Sequence, residues 1–135
     1  MAARRKSREL ALQMLFQWDL GGHSPETITA TFLSAQPGRP EVKDFARRLF
    51  EGTVGEVAAL DPRLRSSSAH WRLERMSAVD RNVLRLALYE LLHCPETPPA
   101  AVMNEALELA RRFSSEESVE FVNGVLDAVW KAGRL

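Results

Sequence analysis

Apolar residues recur at helical spacing along nearly the whole sequence, and the runs are cut only where glycine and proline cluster. Leu10, Ala11, Met14, Leu15 and Trp18 make one stripe, stopped at Gly21-Gly22. Ser24 before Pro25 reads as an N-cap and first helical residue, and Ile28, Phe32 and Ala35 carry a short helix to the break Pro37-Gly38-Arg39-Pro40. Val42, Phe45, Ala46, Leu49, Thr53, Val57 and Leu60 predict a long third helix closed by Asp61-Pro62, which would cap and begin the next element. Between Pro62 and Met76 the pattern weakens at Ser66-Ser67-Ser68 before Trp71 and Leu73 restore it, so a short or broken helix is expected there. Ser77 and Asp80 open a run to Leu92 that is apolar almost all round, the mark of a central helix. After Pro95, Pro98 and Pro99, the residues Val102, Ala106, Leu109, Ala110 and Phe113 define a sixth helix. Ser114 with Glu117 then caps a seventh, striped by Val119, Val122, Leu126, Val129 and Trp130. The expected fold is an all-α bundle of about seven helices in two small helical subdomains, an N-terminal half of about residues 1–60 and a C-terminal half of about 61–135.

A chain of 135 residues has room for one core but not for a catalytic domain beside a recognition domain. Hydrophobic residues at 45% and charged residues at 27% are globular proportions, and no stretch approaches the roughly 20 apolar residues of a membrane helix. The N-terminus has no secretory pattern, so a cytoplasmic protein with no membrane partner is expected. Cys94 is the only cysteine, which excludes an internal disulfide, and His23, His70 and His93 lack metal-site spacing. Phosphate loops, dinucleotide fingerprints, metalloprotease helices and nucleophile elbows are missing, so neither an enzyme nor a cofactor is expected.

The net charge is zero, which argues against a general polyanion binder, but the distribution is uneven. Arg4, Arg5, Lys6 and Arg8 face a single acid, Glu9, in the first helical turns, while the chain from Asp80 onward carries more acids than bases. Like charges at a helix N-terminus repel one another and oppose the macrodipole unless an anion joins them. Such a cluster suits phosphates and base edges, although a solvated helix end is the plainer reading of a short basic run. About 100° per residue places Arg5, Glu9, Leu12 and Phe16 opposite the first core stripe. Phe16 is then either a platform for a base or partner, or packed under a second layer of helices. Phe121 sits at the edge of the last stripe, and Asn123-Gly124 within a helix suggests close approach of a backbone or ligand. Asp80, Arg81, Arg85 and Glu90 on the central helix need partners, by default internal ion pairs and otherwise a binding seam.

Arg4-Arg5-Lys6-Ser7-Arg8-Glu9, Ala11-Leu12-Gln13 and Leu15-Phe16-Gln17-Trp18 resemble the arginine-rich opening and first helix of the NusB family of transcription antitermination factors. Val83 to Leu91, Val102 to Ala106 and Phe121 to Asp127 resemble three further signature stretches, in order along the chain. The resemblance implies a non-catalytic adaptor that binds single-stranded boxA RNA together with NusE, a small-subunit ribosomal protein, within the RNA polymerase antitermination complex, notably on ribosomal RNA operons. It places Arg4, Arg5 and Arg8 in the family's basic motif and Phe16, Asp80, Arg85, Glu117 and Phe121 on the RNA and NusE surface. Together with the reading of the residues, Arg4, Arg5, Lys6, Arg8, Gln13, Arg85, Phe121 and Asn123 are expected on RNA, and Phe16, Asp80, Glu90 and Glu117 on the protein partner. Phe16 stands where some relatives carry tyrosine, so stacking survives without the hydroxyl, and Lys6 lacks arginine's planar fork. The alternatives are a homodimeric structural protein, or the helical N-terminal part of an rRNA cytosine methyltransferase. The latter would need a further cofactor domain.

Overall fold

The structure, a computed structural model, describes residues 2–67 and 72–133. Six α-helices build it: α1 (Ala2–Gly21), α2 (Pro25–Ile28), α3 (Pro40–Ser67), α4 (Ala78–His93), α5 (Pro99–Phe113) and α6 (Glu116–Gly133). A π-helical turn, Thr29–Leu33, prolongs α2, and a 3-10 turn, Leu73–Arg75, precedes α4. No strand occurs among the described residues, in keeping with the all-α expectation. The helix expected between Pro62 and Met76 is shared between the last turn of α3 and the 3-10 turn. Ser68 and Trp71, read as part of it, lie outside the described residues.

Helix ends follow local chemistry. Gly22 turns the chain out of α1 at φ 71°, in the left-handed region that favours glycine. Ser24 caps α2 by accepting from the Thr27 amide at 3.1 Å, and Ser77 caps α4 by accepting from the Asp80 amide at 3.1 Å. The last cap falls one residue later than expected. Ser114 still donates its amide to the Ala110 carbonyl and belongs to the end of α5, so it is Ser115 that accepts from the Ser118 amide at 3.1 Å. Helix α3 does not stop at Asp61-Pro62 but continues to Ser67. An internal proline costs about 3 kcal/mol, yet Leu60 and Leu64 on either side are fully buried, which stabilises by about 1.5–3 kcal/mol each. Pro62 lies on the exposed face, and Asp61 has become an ion-pair partner instead of a cap.

Helix α4 is the centre of the molecule, packing against α1, α3, α5 and α6. Val83, Leu84, Leu86, Ala87 and Leu88 are all buried, as its nearly continuous apolar run predicts. Gly52 on α3 lets the two helices close up: a Cβ there would lie 2.2 Å from the Tyr89 ring. No helix among the described residues is long and apolar enough to cross a membrane.

Buried polar side chains tie this core together. Arg8 on α1 holds Glu90 on α4 through two hydrogen bonds of 2.9 and 2.5 Å, and the side chains are only 6% and 1% exposed. Burial works against the Arg8 charge, but the hydrogen bond and charge of Glu90 outweigh it and raise the Arg8 pKa. Asp19, near the end of α1, accepts from Arg81 at 2.8 and 2.7 Å and from Asn82 at 3.0 Å. Burial alone would raise its pKa; the Arg81 and Asn82 hydrogen bonds hold it below its ordinary value. Arg85 grips Asp61 through two bonds of 2.8 Å, joining α4 to α3.

Two stability measurements test this packing. Gly52→Ala should cost about 1–3 kcal/mol, the usual range for overpacking, and lower the thermal midpoint by several degrees; an unchanged midpoint would mean that Tyr89 swings aside freely. Glu90→Ala should cost about 3–5 kcal/mol in chemical denaturation, because it strands a buried guanidinium, and replacing Arg8 and Glu90 together by Met and Leu should recover much of the loss.

Candidate functional site

The basic opening of α1 is less free than its sequence suggests. Arg8, expected on RNA, and Glu90, expected on a partner, are buried on each other and tie α1 to α4. Arg5 is half exposed and makes two bonds to Glu105 on α5, at 3.0 and 2.9 Å. That hydrogen bond holds the Glu105 carboxyl below its ordinary pKa despite partial burial. Arg4 sits over the Phe45 ring, its Cζ 3.7 Å from the centroid, and makes no ion pair with a carboxylate among the described residues. Lys6 is exposed. The anions that this run of like charges needs are therefore largely internal, and Arg4 and Lys6 carry its uncompensated charge.

Further along α1 the same face leads into an apolar groove. Glu9 is buried and accepts from Arg112 on α5 at 2.9 Å, and Leu12 is buried in turn. The face expected to lie away from the core is thus covered by α5 along its first half. Phe16 emerges beyond that cover, 40% exposed. With Leu12, Gln13, Gln17, Val79 and Phe113 it lines an open groove of about 360 Å³. Arg5 and Phe16 are separated by eleven residues, roughly 16 Å along the helix, so one seam between α1 and α5 runs from a charged end to an aromatic end.

Asp80, beside Val79 in the first turn of α4, begins a second groove. Asp80, Glu117 and Phe121 line it together with Arg75, Met76, Ser77, Ser115 and Ser118, around a volume of about 250 Å³. The Ser118 hydroxyl donates to one Asp80 carboxylate oxygen at 3.0 Å, while the other is enclosed without a hydrogen-bond partner among the described residues. Three residues singled out from distant stretches of sequence are therefore neighbours. Two others are not part of either groove. Arg85, expected on RNA, is buried on Asp61 in the α3–α4 contact. Asn123 is exposed on the side of α6 about 200° from Phe121. Among the described residues, nothing beyond the chain neighbours and the helix's own backbone comes within 4 Å of a Cβ placed at Gly124, so packing of the described residues does not demand that glycine.

Sequence reasoning missed Glu105, Arg112, Val79 and Phe113. Glu105 lies inside the signature stretch Val102 to Ala106, but a single carboxylate gives no sign of its partner until α5 is laid beside α1. Phe113 and Val79 fit core stripes and give no signal of lining a surface groove.

The comparisons with known proteins agree with this arrangement. The family model described as the NusB family matches residues 5–131. The transcription antitermination protein NusB of Sorangium cellulosum is 50% identical over 129 residues, covering 96% of this chain and 92% of that protein. The protein of the same name from Koribacter versatilis is 51% identical over 127 residues, covering 93% and 87%. Among solved structures, a crystal structure of the antitermination factors NusB and NusE in complex with dsRNA superposes with a TM-score of 0.89 at 27% identity over 98% of both chains. T. maritima NusB gives 0.86 at 35% identity over 95% of this chain and 90% of that one. With a family model matched over residues 5–131 and relatives about half identical over nearly the whole length, this chain belongs to the NusB family.

Proposed function

We propose that this protein is a non-catalytic transcription antitermination factor that binds boxA RNA together with NusE and acts in the cytoplasm within the RNA polymerase antitermination complex on ribosomal RNA operons. The observation that carries the reading is the α1–α5 seam, which joins the exposed cationic side chains of Arg5 and Lys6, with half-buried Arg4 beside them against Phe45 of α3, to the aromatic groove of Phe16 and Phe113. Phosphates meet the first and bases the second. The adjoining groove, with Asp80 and Glu117, offers acidic and apolar surface to a basic ribosomal protein. Relatives of similar length are named transcription antitermination proteins, and a similar fold has been seen with NusE and double-stranded RNA. Exposed Phe16 and Leu20 would also serve a homodimer, which sedimentation at rising concentration would reveal.

Binding of RNA should be salt-dependent through few phosphates. Replacing Arg4, Arg5 and Lys6 by alanine should weaken binding of single-stranded boxA RNA and flatten its log–log salt slope by roughly 0.7 for each phosphate no longer neutralised; Arg8 is left intact because its removal would undermine the fold. An equal response with a duplex of the same sequence would shift the ligand from single to double strands, and an unchanged affinity for both would remove the basic end from the interface. NusE should raise RNA affinity, and by linkage RNA must raise NusE affinity by the same factor. Calorimetry on both partners checks this, with Phe16→Ala and Asp80→Arg expected to weaken NusE binding while leaving the circular dichroism spectrum intact; equal RNA affinity with and without NusE would overturn the adaptor reading.

A further inference from the structure

We propose that Glu105 gates the basic end of α1, holding Arg5 in an internal bidentate pair that an RNA phosphate must displace, and so sets the affinity and salt sensitivity of RNA binding. The inference rests on the RNA-binding function proposed above. Three arginines bordering α5 or its neighbour α4 face three carboxylates: Arg8 faces Glu90, Arg112 faces Glu9 and Arg5 faces Glu105. In the first pair both side chains are buried, and in the second Glu9 is only 8% exposed. Arg5 is the member of α1 with a side chain 51% exposed that is nevertheless held by a carboxylate, itself 16% exposed.

The geometry makes the two acceptors mutually exclusive at one edge of the guanidinium. Glu105 takes Nε and Nη2 of Arg5, one of the two-donor edges that a phosphate engages bidentately. A phosphate arriving at that edge therefore has to push the carboxylate aside. Glu105 has somewhere to go, because its Oε1 already lies 3.9 Å from Nη1 of Arg8. When Arg5 turns to RNA, the buried side of Glu105 retains a cation, and the exchange leaves no carboxylate stranded. Glu105 is thus a positioning residue acting through Arg5, without touching the RNA itself.

The test is a double-mutant cycle on the full chain with NusE, using fluorescently labelled single-stranded boxA RNA over about 50–200 mM salt. Glu105→Gln should tighten binding roughly two- to fivefold, the scale of an exposed ion pair, and steepen the salt slope by up to about 0.7. In an Arg5→Ala background the same change should have no effect. Equal tightening in both backgrounds would overturn the gate in favour of a general field effect, and weakening at an unchanged melting temperature would mean that Glu105 presents Arg5 to RNA instead of withholding it. Glu105→Asp, which keeps the charge but draws the carboxylate back from Arg5, should also tighten binding; no change would count against the gate even if Glu105→Gln proved unstable. Should Arg5→Ala cost no affinity while the unsubstituted chain binds, the gate alone would fall; should the unsubstituted chain fail to bind RNA with NusE, the RNA reading itself would fall and take the gate with it.

Discussion

Arg8 and Glu90 meet in the interior, one from each of the two helices that organise the molecule, and the placement of the surface depends on that meeting. A buried ion pair adds little net stability over a well-packed apolar pair, since removing two charges from water costs about as much as their attraction returns. What it contributes here is orientation. With its second turn pinned to α4, α1 can turn only one face to α3, where Leu10, Met14 and Leu15 are enclosed, and only one to α5, where Arg5, Glu9 and Leu12 lie. Phe16 then has to emerge where α5 ends, beside Phe113. A different rotation of α1 would bury the arginines without carboxylates or expose the leucine stripe.

The same internal pairing of charge runs through the rest of the frame. Asp19, Asp61, Arg81 and Arg85 form a second set, buried at Asp61 and Arg85 and half-buried at Asp19 and Arg81, that fastens the end of α1 and α3 to α4. Within the basic opening of α1, Arg5 and Arg8 are engaged by carboxylates of the same chain, so that end of a chain with zero net charge has few cations left to offer outside. A protein of this kind has a small electrostatic reach, and its hold on a polyanion has to be supplemented by apolar contact and by a partner. The arrangement of Arg4 on Phe45, the Phe16 groove and the acidic second groove answers to that need.

The two grooves meet at the first turn of α4, where Val79 looks into one and Asp80 into the other. This places the end of α5, the beginnings of α4 and α6 and one face of α1 around a single continuous surface of mixed character. Helix termini are well suited to such a role, since their positions are set by rigid helices while their side chains are not required to fill the core.

Helices, caps and the central position of α4 are legible in the sequence, because periodicity, serine caps and glycine stops act over a few neighbouring residues. So is the need of Arg81, Arg85 and Glu90 for internal partners. That Phe16 points away from the first core stripe follows from angle, but its exposure does not, since Glu9 and Leu12 on the same face are buried. The Asp61-Pro62 boundary fails for the opposite reason: a local stop signal is overridden by the burial of Leu60 and Leu64 and by an arginine 24 residues away. Which arginine is free is not legible at all. Arg5 and Arg8 are alike in a sequence, and only packing assigns one to Glu105 at the surface and the other to Glu90 in the core. Local pattern determined the helices and the stock of charges; the tertiary structure decided which charges face each other, since pairing depends on distances between residues about a hundred positions apart, such as Arg5 and Glu105, that no periodicity encodes.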